Sequence, residues 1–348
     1  MGQAYNLKKI SWFINPWIDI VILTGFPAVL IVIYLVNHLR LHFPTVYLFF
    51  YSYLFTGFIL PHLFVTLGIV YLDKQVWKKN IAQLLWVPMA LIIFIIFLSA
   101  RGYFSLFTTV LFYLIILHIL IENYYILQLH KLRNHDCHWF DNIVDNITIM
   151  LIPVYFVLKS LPYLKIDYYG SAIYNFPVNL HILNFLFILM CFSTVIFTVR
   201  QITLFIKLKK VHIFKVSMVL TTILSFYYSL LLLKNADIFL MCVFRWQHNI
   251  QYIVWTWFYN RNKFKNGVHK EAMVISYLSQ PGRAGLYILF FILISAIFIL
   301  VIRNLSFFRF HADLKQVPHL VRTIIIFLHV YLDGRIWKIS KIHGIVNA

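Results

Sequence analysis

Acidic residues are scarce in this chain. Asp and Glu number 11 against 30 Lys and Arg in 348 residues, for a formal net charge of +19, and charged residues of both signs are only 12% of the whole. A soluble domain carries about twice that share of charge, whereas 62% of this sequence is apolar. Glycine and proline are sparse too, at 11 and 10. No low-complexity linker divides the chain, so residues 1–348 read as a single integral membrane domain. The three cysteines, Cys137, Cys191 and Cys242, include no CxxC pair and give no disulfide framework. Walker A and GxGxxG phosphate loops, the HExxH helix and the GxSxG elbow are all missing. The first apolar run, 17–36, is too long for the core of a secretory signal and lacks a small-x-small cleavage site. Met1-Gly2 lacks the Ser or Thr at position 6 that myristoylation requires.

What is present is a series of apolar runs, each long enough to cross the roughly 30 Å hydrocarbon layer of a bilayer. Ten can be read, at 17–36, 46–71, 81–99, 103–127, 142–162, 180–206, 213–233, 236–259, 284–303 and 318–337. They predict an all-α, polytopic membrane helix bundle of about ten transmembrane helices. The fifth opens on Asp141, Asn142, Asp145 and Asn146, and the tenth contains Arg322, His329 and Asp333. Both are expected to be tilted or buried among neighbouring helices, where polar side chains are tolerated. With the N-terminus in the cytoplasm, twenty of the thirty basic residues fall on the inside and eight outside, while Arg245 and Arg322 lie within spans. Every inside segment holds at least two, as the positive-inside rule requires, so both termini are expected in the cytoplasm. Topology also accounts for the positive charge, which removes nucleic acid as a partner. Trp12, Trp17, Trp77, Trp86, Trp139, Trp255, Trp257 and Trp337 sit near span ends, as interfacial anchors do.

Ionisable residues inside such runs are the places to look for chemistry. The fourth span carries His118 and Glu122, four apart and therefore on one helical face. The second carries His62, the eighth His248, and the tenth His329 with Asp333, again four apart. His62 precedes Lys74 by 12 residues, and His118 and His248 precede Lys131 and Arg261 by 13 each. At about 1.5 Å per residue the three imidazoles share a depth roughly 18–20 Å above the cytoplasmic boundary. Glu122 and His329 lie about one turn lower. Imidazoles with one or two carboxylates make a donor set suited to iron or another transition metal. His62, His118, Glu122, His248, His329 and Asp333 are therefore the expected metal ligands. The alternative is that each histidine bonds a neighbouring helix as packing glue. Elsewhere, the His130–His138 stretch contains the ligand types His135, Cys137 and His138 but reads as a solvated loop. Asp19, Asp145 and Asp237 near span ends fit either cation movement or helix capping.

Four segments carry a resemblance: Asn15-Pro16-Trp17-Ile18-Asp19, His118 with Glu122 through Leu127, His248-Asn249-Ile250-Gln251-Tyr252, and His329 through Lys338. Together they resemble a group of uncharacterised bacterial multi-pass membrane proteins with HxxQY-like and HxxxDGxIWK-like motifs. A looser likeness is to the bacterial β-carotene-cleaving membrane dioxygenases, which depend on scattered histidines. No catalytic residue carries over from either. The resemblance implies a bacterial inner-membrane location. The expectation is a metal-dependent enzyme acting on a lipid or isoprenoid-like substrate reached from the bilayer. The alternatives are a proton- or cation-coupled transporter and an assembly protein with no site.

Overall fold

The computed structural model describes residues 12–49, 56–134, 136, 138–161, 167–168, 171–174, 176–208, 211–227, 240–307 and 317–342. Apart from one small ribbon, these residues form helices and their connections. The helices are α1 (Pro16–Leu23), α2 (Phe26–His42), α3 (Pro44–Phe49), α4 (Thr56–Tyr71), α5 (Lys74–Lys79), α6 (Ala82–Ala100) and α7 (Phe104–Arg133). They continue with α8 (Trp139–Ser160), α9 (Leu180–Leu208), α10 (Ile213–Tyr227), α11 (Leu240–Lys263), α12 (Met273–Leu278), α13 (Ala284–Phe307) and α14 (Val317–Ile342). The ribbon pairs β1 (Asp167–Tyr168) antiparallel with β2 (Ser171–Ala172). A helix falls on each of the ten apolar runs. By length and composition five are able to cross a membrane, or six if the bent α1–α2 pair is one span.

The first run is not the unbroken helix expected over 17–36. Asn15 caps α1 by accepting the Ile18 N–H at 2.9 Å, and Pro16 fills the first turn, where its missing N–H costs nothing. From Asp19 to Leu23 the helix widens into a π turn. The Thr24 hydroxyl bonds back to the Ile20 carbonyl at 2.5 Å, Gly25 adopts φ 72°, and the chain restarts as α2 at an angle of 45°. The physical reason is local. Only glycine enters the left-handed region cheaply, and Pro27 belongs to the first turn of a new helix rather than the interior of an old one. The Leu23 carbonyl freed by the break accepts from Gln251 Nε2 of α11 at 2.5 Å.

Packing centres on α4, which contacts α11, α13 and α14. On its other side α14 meets α7, and α8 is held between α9 and α10. Gly68 allows the close approach of α13, since a Cβ there would lie 2.6 Å from the Phe291 ring. Two apolar clusters form the core. One gathers Leu63, Leu111, Ile115, Ile119, Val157 and Ile326; the other gathers Val65, Ile69, Ile126, Ile253, Phe291 and Leu332. Around them α6, α9 and α13 turn rows such as Ile93, Phe94, Phe97, Phe185, Ile188 and Phe192 outward. An apolar exterior of this kind suits a bilayer rather than water.

A charged layer ties α7, α8, α9 and α10 together. The stretch 130–138 was expected as a solvated loop, but its first residues, 130–133, belong to the end of a longer α7, and His130 and Lys131 are fully buried. Lys131 and Lys215 both bond Asp145 Oδ2, and Lys215 also bonds Asp136 Oδ2 at 2.9 Å. Arg200 grips Asp141 through two bonds of 2.6 and 3.0 Å. Buried lysines persist because each has its carboxylate, a pairing between distant segments. Burial pushes the Asp136 carboxyl up, but Lys215 outweighs it and holds the group below the ordinary carboxylate range. Burial, reinforced by Lys215, pushes His212 down to about 4. His135 and Cys137 lie outside the described residues.

Candidate metal centre

Between the two apolar clusters, four helices each contribute a histidine. Pro61-His62 comes from α4, His118 from α7, His248 from α11 and His329 from α14; all four are buried. Their rings form a closed cycle of edge-to-face contacts. Centroid separations are 4.7 Å for His62–His248, 5.5 Å for His248–His118, 5.0 Å for His118–His329 and 4.3 Å for His329–His62.

One helical turn further along every one of these helices stands a hydrogen-bonding side chain. The pairs are His62 with Thr66, His118 with Glu122, His248 with Tyr252 and His329 with Asp333. Residues four apart share a face, so the four imidazoles form one layer and Thr66, Glu122, Tyr252 and Asp333 a second beneath it. All four members of this second layer are buried as well. Glu122 Oε2 is 2.8 Å from His248 Nδ1, and Thr66 Oγ1 is 2.8 Å from His329 Nδ1. Asp333 Oδ2 is 3.6 Å from His118 Nε2. Within the second layer Thr66 donates to the Tyr252 hydroxyl at 2.9 Å, and Tyr252 donates to Asp333 Oδ1. The Asp333 and Glu122 carboxyls are within hydrogen-bonding reach of each other.

The direction of this chain fixes a tautomer. Thr66 spends its proton on Tyr252, so its oxygen accepts from His329 Nδ1–H. His329 therefore presents a lone pair at Nε2, the arrangement by which an outer hydrogen bond prepares an imidazole for a metal. That Nε2 lies 3.2 Å from His118 Nε2. Donors at about 2.0–2.1 Å from one ion are separated by about 2.9 Å in an octahedral and about 3.4 Å in a tetrahedral sphere. The observed spacing falls between these limits. Two sets of three ligand atoms, His62 with His118 and His329, and His118 with Glu122 and His248, each lie within 4.8 Å of one another. No protein family, curated protein or solved structure matches this chain. The site is read from its own chemistry.

The six residues singled out in the sequence lie in one cluster: His62, His118 and His329, and His118, Glu122 and His248, form two sets each close enough to hold a metal ion, and Asp333 stands 3.6 Å from His118. Thr66 and Tyr252 were not singled out, although the fourfold His-x-x-x-polar repeat was available to find them. The His38-x-x-x-His42 spacing at the end of α2 is a pattern the sequence reading overlooked. Its rings touch at 4.8 Å, but both residues are exposed and neither takes part in the cluster. Asp19 accepts the backbone N–H groups of Phe13 and Ile14 at 2.6 and 3.1 Å, and Asp145 holds two lysines. Both carboxylates are thereby engaged in structural bonds. Asp237 lies outside the described residues.

Proposed function

We propose that this chain is a ten-span protein of the bacterial inner membrane, both termini cytoplasmic, that binds a transition metal, iron first among candidates. On this reading it is an enzyme acting on a lipid or isoprenoid-like substrate. The observation that carries the reading is the convergence of four imidazoles and two carboxylates, from four helices, in a fully buried cluster. Placing this many ionisable groups away from water is costly, and a cation with oriented donors offsets that cost more directly than packing glue does. The depth of the centre among apolar helices favours a substrate that arrives from the hydrocarbon layer, and bound iron supplies the capacity to activate oxygen. The protein residues orient the imidazoles, exclude bulk water and, through Tyr252 and Thr66, set proton positions at His329 and Asp333.

The test is the metal content of full-length protein purified without chelator. Wild type is expected to retain at least one equivalent per chain, His118→Ala to lose it, and His269→Ala, in a loop remote from the cluster, to keep it. Incubating loaded protein with a lipid and isoprenoid panel under oxygen then reads turnover by mass spectrometry. The break at Thr24–Gly25 favours a second reading, since broken helices with freed carbonyls mark transporter sites. On that reading the same residues bind or relay a transported cation. Ion uptake into proteoliposomes without product formation would select it.

A further inference from the structure

The six ionisable side chains do not make one coordination sphere. Each of the two ligand sets is compact, yet they share only His118, and no larger set contains both the His62–His329 side and the Glu122–His248 side. Donors to a single ion at about 2.1 Å are at most about 4.2 Å apart. An ion held by His62 and His329 therefore occupies a different position from one held by Glu122 and His248. Between the two positions stands His118, with Asp333 Oδ2 3.6 Å from its Nε2. His118 Nε2 is 3.2 Å from His329 Nε2 and 3.8 Å from Glu122 Oε1, and Asp333 touches Glu122.

Resting on the metal-binding reading above, we propose that the centre holds two transition-metal ions. His62 and His329 bind one, Glu122 and His248 bind the other, and His118, with Asp333 beside it, stands between them. Helical bundles hold metal pairs with this mixture of donors, Glu and His projected inward from facing helices, and paired ions in proteins sit about 3.5–4 Å apart. Charge bears on the proposal. Two divalent ions exceed the negative charge of Glu122 and Asp333, and uncompensated charge in a buried site is strongly disfavoured. The excess would be two charges, and deprotonation of water at the ions would lower it, with the released protons leaving to solvent.

The experiment is an anaerobic titration of chelator-stripped, full-length protein in detergent with Co(II). Bound metal is counted by elemental analysis after desalting, and electron paramagnetic resonance reports coupling between ions. Two equivalents per chain with a coupled signal are expected. His62→Ala and His248→Ala should each retain one equivalent and lose the coupling. The wild-type count decides the matter even if a variant does not survive purification. One equivalent in wild type, or loss of both ions from each variant that purifies, overturns the two-ion centre while leaving the metal reading intact. No bound metal at all overturns both.

Discussion

Thr66→Val tests whether the hydrogen-bond chain beneath the histidines has the direction assigned to it. Valine matches threonine in shape and removes only the hydroxyl. Thr66 Oγ1 is the acceptor for His329 Nδ1–H at 2.8 Å and the donor to Tyr252 at 2.9 Å. Tyr252 keeps its bond to Asp333, so the loss falls on His329, whose Nδ1–H is left without its acceptor. A buried donor in that state costs about 1–3 kcal/mol. Loss of an outer partner of a metal-bound imidazole typically weakens metal affinity about 10–100-fold, or about 1.4–2.8 kcal/mol. The assay is competition for Co(II) against a chelator of known affinity, at pH 7, with Thr66→Ser as the control that restores the hydroxyl. Val weakening binding within that range, and Ser recovering most of it, is the expected pattern. Val binding within twofold of wild type would refute the assigned direction, as would Ser as weak as Val.

Three further outcomes follow from the structure. Asp145→Asn leaves Lys131 and Lys215 buried with half their compensation, so it should destabilise by about 3–5 kcal/mol; a thermal midpoint within a degree of wild type would contradict the buried network. Gly25→Ala forces a side chain into φ 72° and places a Cβ 2.4 Å from Gln247 Cγ. It should lower the melting temperature, the left-handed strain alone costing about 1–2 kcal/mol, whereas Gly102→Ala tests that strain with no neighbour in reach. His212 is held neutral down to about 4 by burial and Lys215, beside Lys131 and Asp136. The unfolded chain binds that proton at a higher pH, near 6.5. Stability should therefore be full above about pH 6.5 and be lost as the pH falls toward about 4. His212→Gln should flatten that slope in a pH series of melting curves.

The depth of the histidines was legible because a membrane segment has a ruler built into it: count residues back to the first basic side chain. That ruler placed His62, His118 and His248 level, and in the structure they share one layer. The same ruler set His329 a turn lower with Glu122, whereas the His329 ring belongs to the same layer as the other three imidazoles. It gave no helix rotation, so convergence had to come from packing. Thr66 went unremarked, and Tyr252 entered only as the end of the HxxQY-like motif, because threonine and tyrosine are ordinary in apolar helices. Only their fixed offset of four from a histidine, seen on all four helices at once, sets them apart. The break in the first span was written in Gly25 and Pro27, which an eye counting apolar residues passes over. The buried lysines were not legible at all. Lys131 and Lys215 look like loop charges until Asp145 and Asp136 arrive from other segments.

X-ray absorption at the metal edge of protein purified without chelator addresses the central claim most directly. A shell of nitrogen and oxygen donors at about 2.0–2.2 Å, with the outer scattering of several imidazoles, is the result this account requires, and His118→Ala should diminish it. A sulfur-dominated shell, or protein that carries no stoichiometric metal, would contradict it and return the four histidines to a role as packing between helices.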